Sequence, residues 1–321
     1  MPFKNEACFL EETITSIINQ HYKNWELIAI DDSSTDNSFE IVTTLKKNEK
    51  RITLLKNRKA GITEALKTGR DYAKGTFITR MDADDIMLEN KLEALHQELS
   101  STAEKSVVIG KVHYFKSNGD KIGDGYFKYQ NWINQLAENK QSFTEIYKEC
   151  PVPSPSWMMK TSVFDEIGGF NSKTYPEDYD LAFRMYKAKL NVLSTSSVVH
   201  HWRDYETRTS RTHENYKDNR FLELKLDYFL ALDYKVNKTL ELQGAGKKGK
   251  FIARKLLERK IPFIWSCGIS SKIGHNIYGV ILKDSKQKQI NAQLIVAIAN
   301  PEDLIKIKKE ENPANQYYYF C

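Results

Sequence analysis

A chain of 321 residues, 40% of them hydrophobic and 28% charged, can bury the core of one large domain or two ordinary ones, which excludes a disordered or fibrous protein. Its 48 Lys and Arg against 42 Asp and Glu leave a formal net charge of +6. That charge is thinly spread, so no nucleic-acid partner is expected without a concentrated basic patch, and peripheral attraction to an anionic membrane is the most it offers. Cys8, Cys150, Cys267 and Cys321 stand too far apart for a metal-binding pair or a disulfide framework. Lys4, Asn5 and Glu6 open the chain in place of a signal segment, and no apolar run reaches about 18 residues. A cytoplasmic protein with free thiols is expected, working at most at the inner face of a membrane.

In chain order, Phe9, Leu10, Ile14, Ile17 and Ile18 recur at helical spacing. Residues 25–30 form a short apolar run that stops at Asp31-Asp32. Phe39, Val42 and Leu45 predict a second helix that Ser34 or Asp36 can cap. A strand over 51–55, a helix over 62–73 and a strand over 76–81 follow, with Gly75 as punctuation. Helix and strand alternating at this pitch imply a mostly parallel sheet covered by helices. Two of its strands end in acidic residues, Asp31-Asp32 and Asp82-Ala83-Asp84-Asp85. In open sheets of this kind ligands sit beyond the carboxyl ends of the strands, so both groups are expected to face one cleft. Residues 89–101 read as a helix and 107–115 as a strand. The stretch 116–160, with its glycines, aromatics and Pro151, Pro153 and Pro155, reads as long irregular elements. A helix opening near Glu177, a strand over 192–199 and a helix over 214–235 complete a first domain, residues 1–235.

A second domain, residues 236–321, opens with the strand Leu240-Glu241-Leu242 and the run Gly244-Ala245-Gly246-Lys247-Lys248-Gly249. A helix carrying Ile252, Ala253, Leu256 and Leu257 comes next, then strands over 262–265 and 293–299. The Gly-x-Gly-x-x-Gly run stands where a dinucleotide fingerprint would. The second strand, however, runs into Ser266 and Cys267, with no acidic residue at its tip to bind a ribose. A small Rossmann-like α/β unit, whose glycines serve close helix–strand packing, is expected rather than NAD binding. Trp265, Tyr278 and the aromatic tail 317–320 are expected to pack on the first domain or on another subunit. Acceptor recognition, regulation and a homodimer through this unit are all compatible with that.

Asp82, Asp84 and Asp85 crowd like charges together, which costs energy unless a cation or hydrogen-bond donors are close. Two readings stand: an Asp-rich turn capping the next helix, or a site for a hard cation such as Mn²⁺ or Mg²⁺.

Taken in order, these segments resemble the family 2 glycosyltransferases, inverting enzymes of the GT-A fold, over nearly all of residues 1–230. Pro2-Phe3-Lys4-Asn5-Glu6 is similar to the family's opening Pro-x-x-Asn-Glu, and Ser16-Ile17-Ile18-Asn19-Gln20 to the end of its first helix. Asp31-Asp32-Ser33-Ser34-Thr35-Asp36 resembles its donor-base and ribose loop, with Ser33 where glycine is commoner. Met81-Asp82-Ala83-Asp84-Asp85 resembles its metal and diphosphate motif. Gly168-Gly169-Phe170 and Glu177-Asp178-Tyr179-Asp180-Leu181 resemble its acceptor-side segments. His201-Trp202-Arg203-Asp204 with Arg208, Ser210 and Arg211 resembles the loop near the end of its domain.

The resemblance implies a GT-A-type open, mostly parallel mixed sheet flanked by helices. It assigns Pro2, Phe3, Asn5, Glu6, Asp31 and Asp32 to the donor nucleotide, with Asp32 accepting from a uracil or thymine ring nitrogen and Phe3 packing on the base or in the core. Asp82, with Ala83 beside it, would contact ribose or a metal-bound water, and Asp84 would ligate Mn²⁺ or Mg²⁺. Asp178 is the expected general base, ionised at an ordinary carboxylate pKa of about 3.9, and Glu177 would orient the acceptor or position that loop. Arg203, Arg208 and Arg211 would grip diphosphate oxygens. Trp202 would stack on a sugar face, His201 would touch donor or metal, and Arg80 would reach the nucleotide or snorkel. The whole implies an inverting glycosyltransferase that takes a sugar from a nucleoside-diphosphate sugar, UDP-sugar favoured. Its acceptor would be a saccharide or lipid-linked hydroxyl in polysaccharide or glycan biosynthesis. A family member also has an apolar first strand before Pro2, and that strand is missing here, which keeps open a catalytically impaired nucleotide-sugar-binding or scaffold protein. A sugar-phosphate nucleotidyltransferase is the other alternative.

Overall fold

Pro2 and Phe3 are already strand. The computed structural model describes all residues except 103–104, 172–173, 209–210, 212–219 and 288. In its first unit, Met1–Thr144 with Pro151–Arg211, strands and helices alternate as expected. β1 (Pro2–Phe3), α1 (Leu10–Ile18), β2 (Leu27–Asp31), α2 (Ser38–Asn48), β3 (Ile52–Lys56), α3 (Ile62–Tyr72) and β4 (Phe77–Thr79) come first. β5 (Ile86–Met87), α4 (Lys91–Ser100), β6 (Ser106–Phe115), α5 (Asp124–Glu138), β7 (Trp157–Lys160), α6 (Thr161–Glu166), α7 (Glu177–Lys187) and β8 (Asn191–Arg203) follow.

The strands build a parallel sheet in the order β1-β2-β3 and a mixed sheet in the order β4-β7-β6-β8-β5. All of β2 is buried, which is why Leu27-Ile28-Ala29-Ile30 reads as a continuous apolar run rather than an alternating one. α1 lays Leu10, Thr13, Ile14 and Ile17 inward, and Ala29, Val42, Leu92, Leu95 and Val108 complete that core. In β1, Pro2 pairs with Ile30 and Phe3 with Asp31 in parallel register. The strand is two residues long. Met1 and Trp25, with Ile28 of β2 and Phe77 and Ile78 of β4, line a cavity of about 700 Å³.

Residues 116–160 are less irregular than their composition suggests, because α5 runs for 15 residues within them. Its inward face hides the usual signal by combining Ile133, Leu136 and Ala137 with the buried amide Gln130. Gln130 Oε1 accepts from Tyr114 N at 2.5 Å, and Asn134 both accepts from Val112 N at 2.9 Å and donates to Val112 O at 2.8 Å. These amides satisfy β6 next to the register irregularity between Lys111 and Val112.

The second unit, Glu145–Cys150 with Thr212–Cys321, takes in the helix α8 (Arg220–Leu232), so the division falls before the boundary expected at 235. β9 (Thr239–Gln243), α9 (Lys247–Glu258), β10 (Ile264–Cys267), β11 (Asn276–Ile277), β12 (Val280–Ile281), β13 (Lys283–Asp284), β14 (Ala292–Val296), α10 (Pro301–Lys309) and β15 (Gln316–Tyr319) follow. Its parallel sheet has the order β13-β10-β9-β14-β15, so the chain winds outward in both directions from β9, a Rossmann-like arrangement. Gly244 adopts φ +118°, and a Cβ on Gly249 would lie 2.1 Å from Gly244 O. The aromatic tail packs within its own unit: β15 pairs with β14, and Phe320 stacks on Tyr147 at 5.4 Å between ring centres. Among the described residues no helix is long and apolar enough to cross a membrane.

Candidate active site

At the carboxyl end of β2, Asp31 and Asp32 are buried. Asp31 Oδ1 accepts from Ser34 N at 3.0 Å, closing a turn, and Ser33 at its bend has φ 63°. That left-handed backbone explains why glycine suits this position. Asp32 accepts from Asn57 Nδ2 at 2.7 Å and from Gly61 N at 3.0 Å. Asn5 Oδ1 accepts from Thr35 N at 2.7 Å while Ser34 Oγ accepts from Asn5 N at 3.1 Å, so the two loops are laced together. Phe3 is 3% exposed within the α1 core. Its ring packs in the core, and its carbonyl accepts from Asp32 N.

The Asp82–Asp85 loop is held from several sides. Thr13 Oγ1 is 3.0 Å from Ala83 O and 2.9 Å from Asp85 O. Arg203 Nε donates to Asp84 O at 2.6 Å and its backbone N donates to Asp85 Oδ1 at 2.8 Å. The Arg203 side chain also reaches Ser117 and Glu12 and lies over the rings of Phe9 and Phe115. Arg203 is thus committed to the loop rather than extended toward a diphosphate.

Burial, then the charges of Asp85 and Asp82, push the Asp84 carboxyl up to about 7. Burial, then the charges of Asp84 and Asp36, push Glu6 up to about 8. Burial also works to raise Asp82, but Arg80 and Arg208 outweigh it and hold that carboxyl below the usual range. Such crowding fits a hard divalent cation. Among the described residues no group of three or more His, Cys, Asp or Glu is placed to hold a metal ion. An ion held by one or two carboxylates, with phosphate oxygens and water completing its shell, needs none. Asp84 suits that ligand role, although Tyr205 Oη donates to its Oδ2 at 2.9 Å.

α7 begins at Glu177 with Glu177, Asp178 and Asp180 in its first turn, where the helix dipole favours negative charge. Glu177 is buried and bound to Arg80 Nη1 at 2.8 Å; Arg80 Nε holds Asp82 Oδ1, also at 2.8 Å. Arg80 therefore neither snorkels nor extends to a nucleotide; it bridges the acidic loop and the start of α7. Asp178 is partly exposed and accepts from Tyr179 N at 2.7 Å. Burial of its carboxyl, then the Glu177 charge, raise it to about 7.

The pattern of the first 168 residues settles the relationship, for residues 1–168 match Glycosyl transferase family 2. The chain belongs to that family. It is 30% identical over 184 residues to glycosyltransferase GlyG of Streptococcus pneumoniae, a match covering 56% of this chain and 61% of that protein. It is 26% identical to the Escherichia coli UDP-Glc:alpha-D-GlcNAc-diphosphoundecaprenol beta-1,3-glucosyltransferase WfgD, over 74% of this chain and 85% of that one. Among solved structures, S. aureus TarS with UDP-GlcNAc superposes with TM-score 0.52 at 17% identity, over 73% of this chain and 66% of that one. Mannosyltransferase PcManGT from Pyrobaculum calidifontis, in complex with GDP-Man and Mn²⁺, superposes with TM-score 0.53 at 19% identity, over 73% and 63%. These likenesses give the fold: a GT-A-type mixed sheet flanked by helices.

Within this family 2 domain several expected contacts take other forms. Trp202 is buried, stacked on Tyr114 at 4.8 Å and 12°, so its face is not open to a sugar. Arg208 lies over Trp202 at 5.0 Å and Tyr114 at 5.7 Å. Its charge still acts on Asp82, Asp84 and Asp85. Arg211 pairs with Asp204 through two bonds of 2.8 and 2.7 Å. His201 packs against His113 and Phe115. Ser210 lies outside the described residues. Thr13, Asn57, Lys91, His200 and Tyr205 went unnoticed in the sequence. Only Lys91 offered a signal, a cation at the first position of a helix, where the dipole disfavours it.

Proposed function

We propose that this domain is an inverting, metal-dependent glycosyltransferase. It would move a sugar from a nucleoside-diphosphate sugar, UDP-sugar favoured, to a hydroxyl of a saccharide or lipid-linked acceptor in polysaccharide or glycan assembly. The observation that carries the reading is Arg80, 2.8 Å from both Asp82 and Glu177, which draws the acidic loop and the start of α7 into one site. WfgD, named for a UDP-Glc donor and a diphosphoundecaprenol-linked acceptor, and neighbours bound to UDP-GlcNAc or GDP-Man, support it.

In this reading Asp178 removes the acceptor hydroxyl proton as that oxygen bonds the anomeric carbon from the face opposite the diphosphate. The bond from that carbon to the diphosphate oxygen breaks, and its electron pair leaves with the diphosphate. A base titrating at about 7 is well matched to neutral pH. Glu177, fixed by Arg80, holds the turn that carries Asp178. Asp84, with Asp82 beside it, would hold Mn²⁺ or Mg²⁺, which would supply charge neutralisation of the diphosphate. Arg208 adds a cation on that side. The loop of Pro2, Asn5, Glu6, Asp31 and Asp32 receives the nucleoside. Cytoplasmic location, peripheral contact with a membrane-borne acceptor and a homodimer through the second unit accompany this reading.

Isothermal titration of UDP is expected to show binding with Mn²⁺ and little without it. Asp178→Asn keeps that binding and loses transfer by roughly 10² to 10⁴-fold. No metal-dependent nucleotide binding would leave a scaffold protein; near-normal transfer by Asp178→Asn would remove Asp178 as the base.

A further inference from the structure

Lys91 opens α4 with its side chain fully buried, and His200 and Asp85 are equally inaccessible. The three stand in line. Lys91 Nζ donates to Pro155 O at 2.5 Å and lies 3.0 Å from His200 Nδ1. His200 Nε2 lies 3.0 Å from Asp85 Oδ2. With Lys91 as an ammonium, which has donors only, Nδ1 would accept, the ring proton would sit on Nε2, and Nε2–H would donate to Asp85. The other Asp85 oxygen accepts from Arg203 N at 2.8 Å. Both oxygens of Asp85 are thereby tied to β8, and the antiparallel pairing of Met87 with His200 fixes the chain just beyond the loop.

A buried ionic line of this kind is weak evidence of stability, since apolar residues of similar volume often serve as well or better. Its geometry suits orientation. We propose that Lys91 and His200 are positioning residues: through Asp85 they set the peptide that presents the neighbouring Asp84 carboxylate to the metal and diphosphate. This rests on Asp84 as the metal ligand. Outer partners of metal ligands typically govern affinity by roughly 10 to 100-fold.

The test compares His200→Gln, which retains an acceptor and a donor, with His200→Leu and Lys91→Met, which do not. Mn²⁺ binding in the presence of UDP, followed by electron paramagnetic resonance of the free ion, is expected to weaken roughly 10 to 100-fold in His200→Leu and Lys91→Met. His200→Gln should stay within about threefold of the natural protein. In the metal-free protein, nitrogen NMR should find His200 in the Nε2–H tautomer. The amide signals of residues 83–86 should move in His200→Leu and hold in His200→Gln. Unchanged Mn²⁺ binding in His200→Leu, equal losses in the Gln and Leu variants, or an Nδ1–H tautomer would each overturn the proposal. If the natural protein binds no Mn²⁺, the metal reading fails on its own. The amide signals then decide the relay: movement only in His200→Leu and Lys91→Met supports it, and no movement ends it. The tautomer, read on the natural protein, supports or overturns the proposal even where the Leu and Met variants do not fold.

Discussion

Asp84 and Asp178 carry carboxyls that the fold raises from an ordinary 3.8 to about 7. In both cases burial is the first cause, with Asp85 next for Asp84 and Glu177 next for Asp178. The sequence suggested an ordinary, fully ionised Asp178, because spacing does not report desolvation. The consequence for stability has a definite sign. Between 3.8 and 7 the folded protein holds protons that the unfolded chain has released, so these groups favour folding most below 3.8 and lose that contribution as pH rises through 7. Metal-free protein is therefore expected to melt at a lower temperature at pH 8 than at pH 5, and Mn²⁺ with UDP should reduce the difference. Scanning calorimetry across that range checks it; a melting temperature that climbs with pH would contradict buried, crowded carboxylates. Trp202 and Arg203 carry the same lesson. Their chemistry was legible, but their use was not, since both turn inward, Trp202 onto Tyr114 and Arg203 onto the Asp84 carbonyl.

Elements with strong periodicity matched expectation, and α5 did not. Its core-facing positions include Gln130 and the part-buried Asn134, whose value lies in what they bond on β6. Asn134→Leu leaves Val112 N and O without these partners and is expected to cost about 1–3 kcal/mol. Urea unfolding measures this; a loss near zero would mean that Val112 finds replacement partners. The start of α7, by contrast, was readable at sight: acidic residues in its first turn suit the helix dipole. That Glu177 meets Arg80, 97 residues earlier in the chain, was decided by the fold.

For the whole molecule, two compact units were anticipated, while the helix Arg220–Leu232 joins the second rather than the first. The glycine run in that second unit matches a packing role directly. A Cβ at position 249 would sit 2.1 Å from Gly244 O, so Gly249→Ala forces the helix away from the β9 turn. A loss of about 1–3 kcal/mol is expected. Trp265, fully buried with its indole N–H donating to Gly244 O at 2.9 Å, is the fluorescence reporter for that unfolding. An unshifted Trp265 transition would show that the turn yields at little cost.

The order of acidic, glycine and apolar segments along residues 1–168 was enough to place the chain in its family and sheet class, because strand-end carboxylates and helix periodicity are local properties of the sequence. The same holds for the Gly-x-Gly-x-x-Gly turn. What tertiary structure alone decided is partnership. Arg80 serves Asp82 and Glu177, Lys91 and His200 reach Asp85, and Tyr205 meets Asp84. Those pairings span from 2 to 121 residues, and only the folded sheet, by burying the charges together, makes each partner necessary.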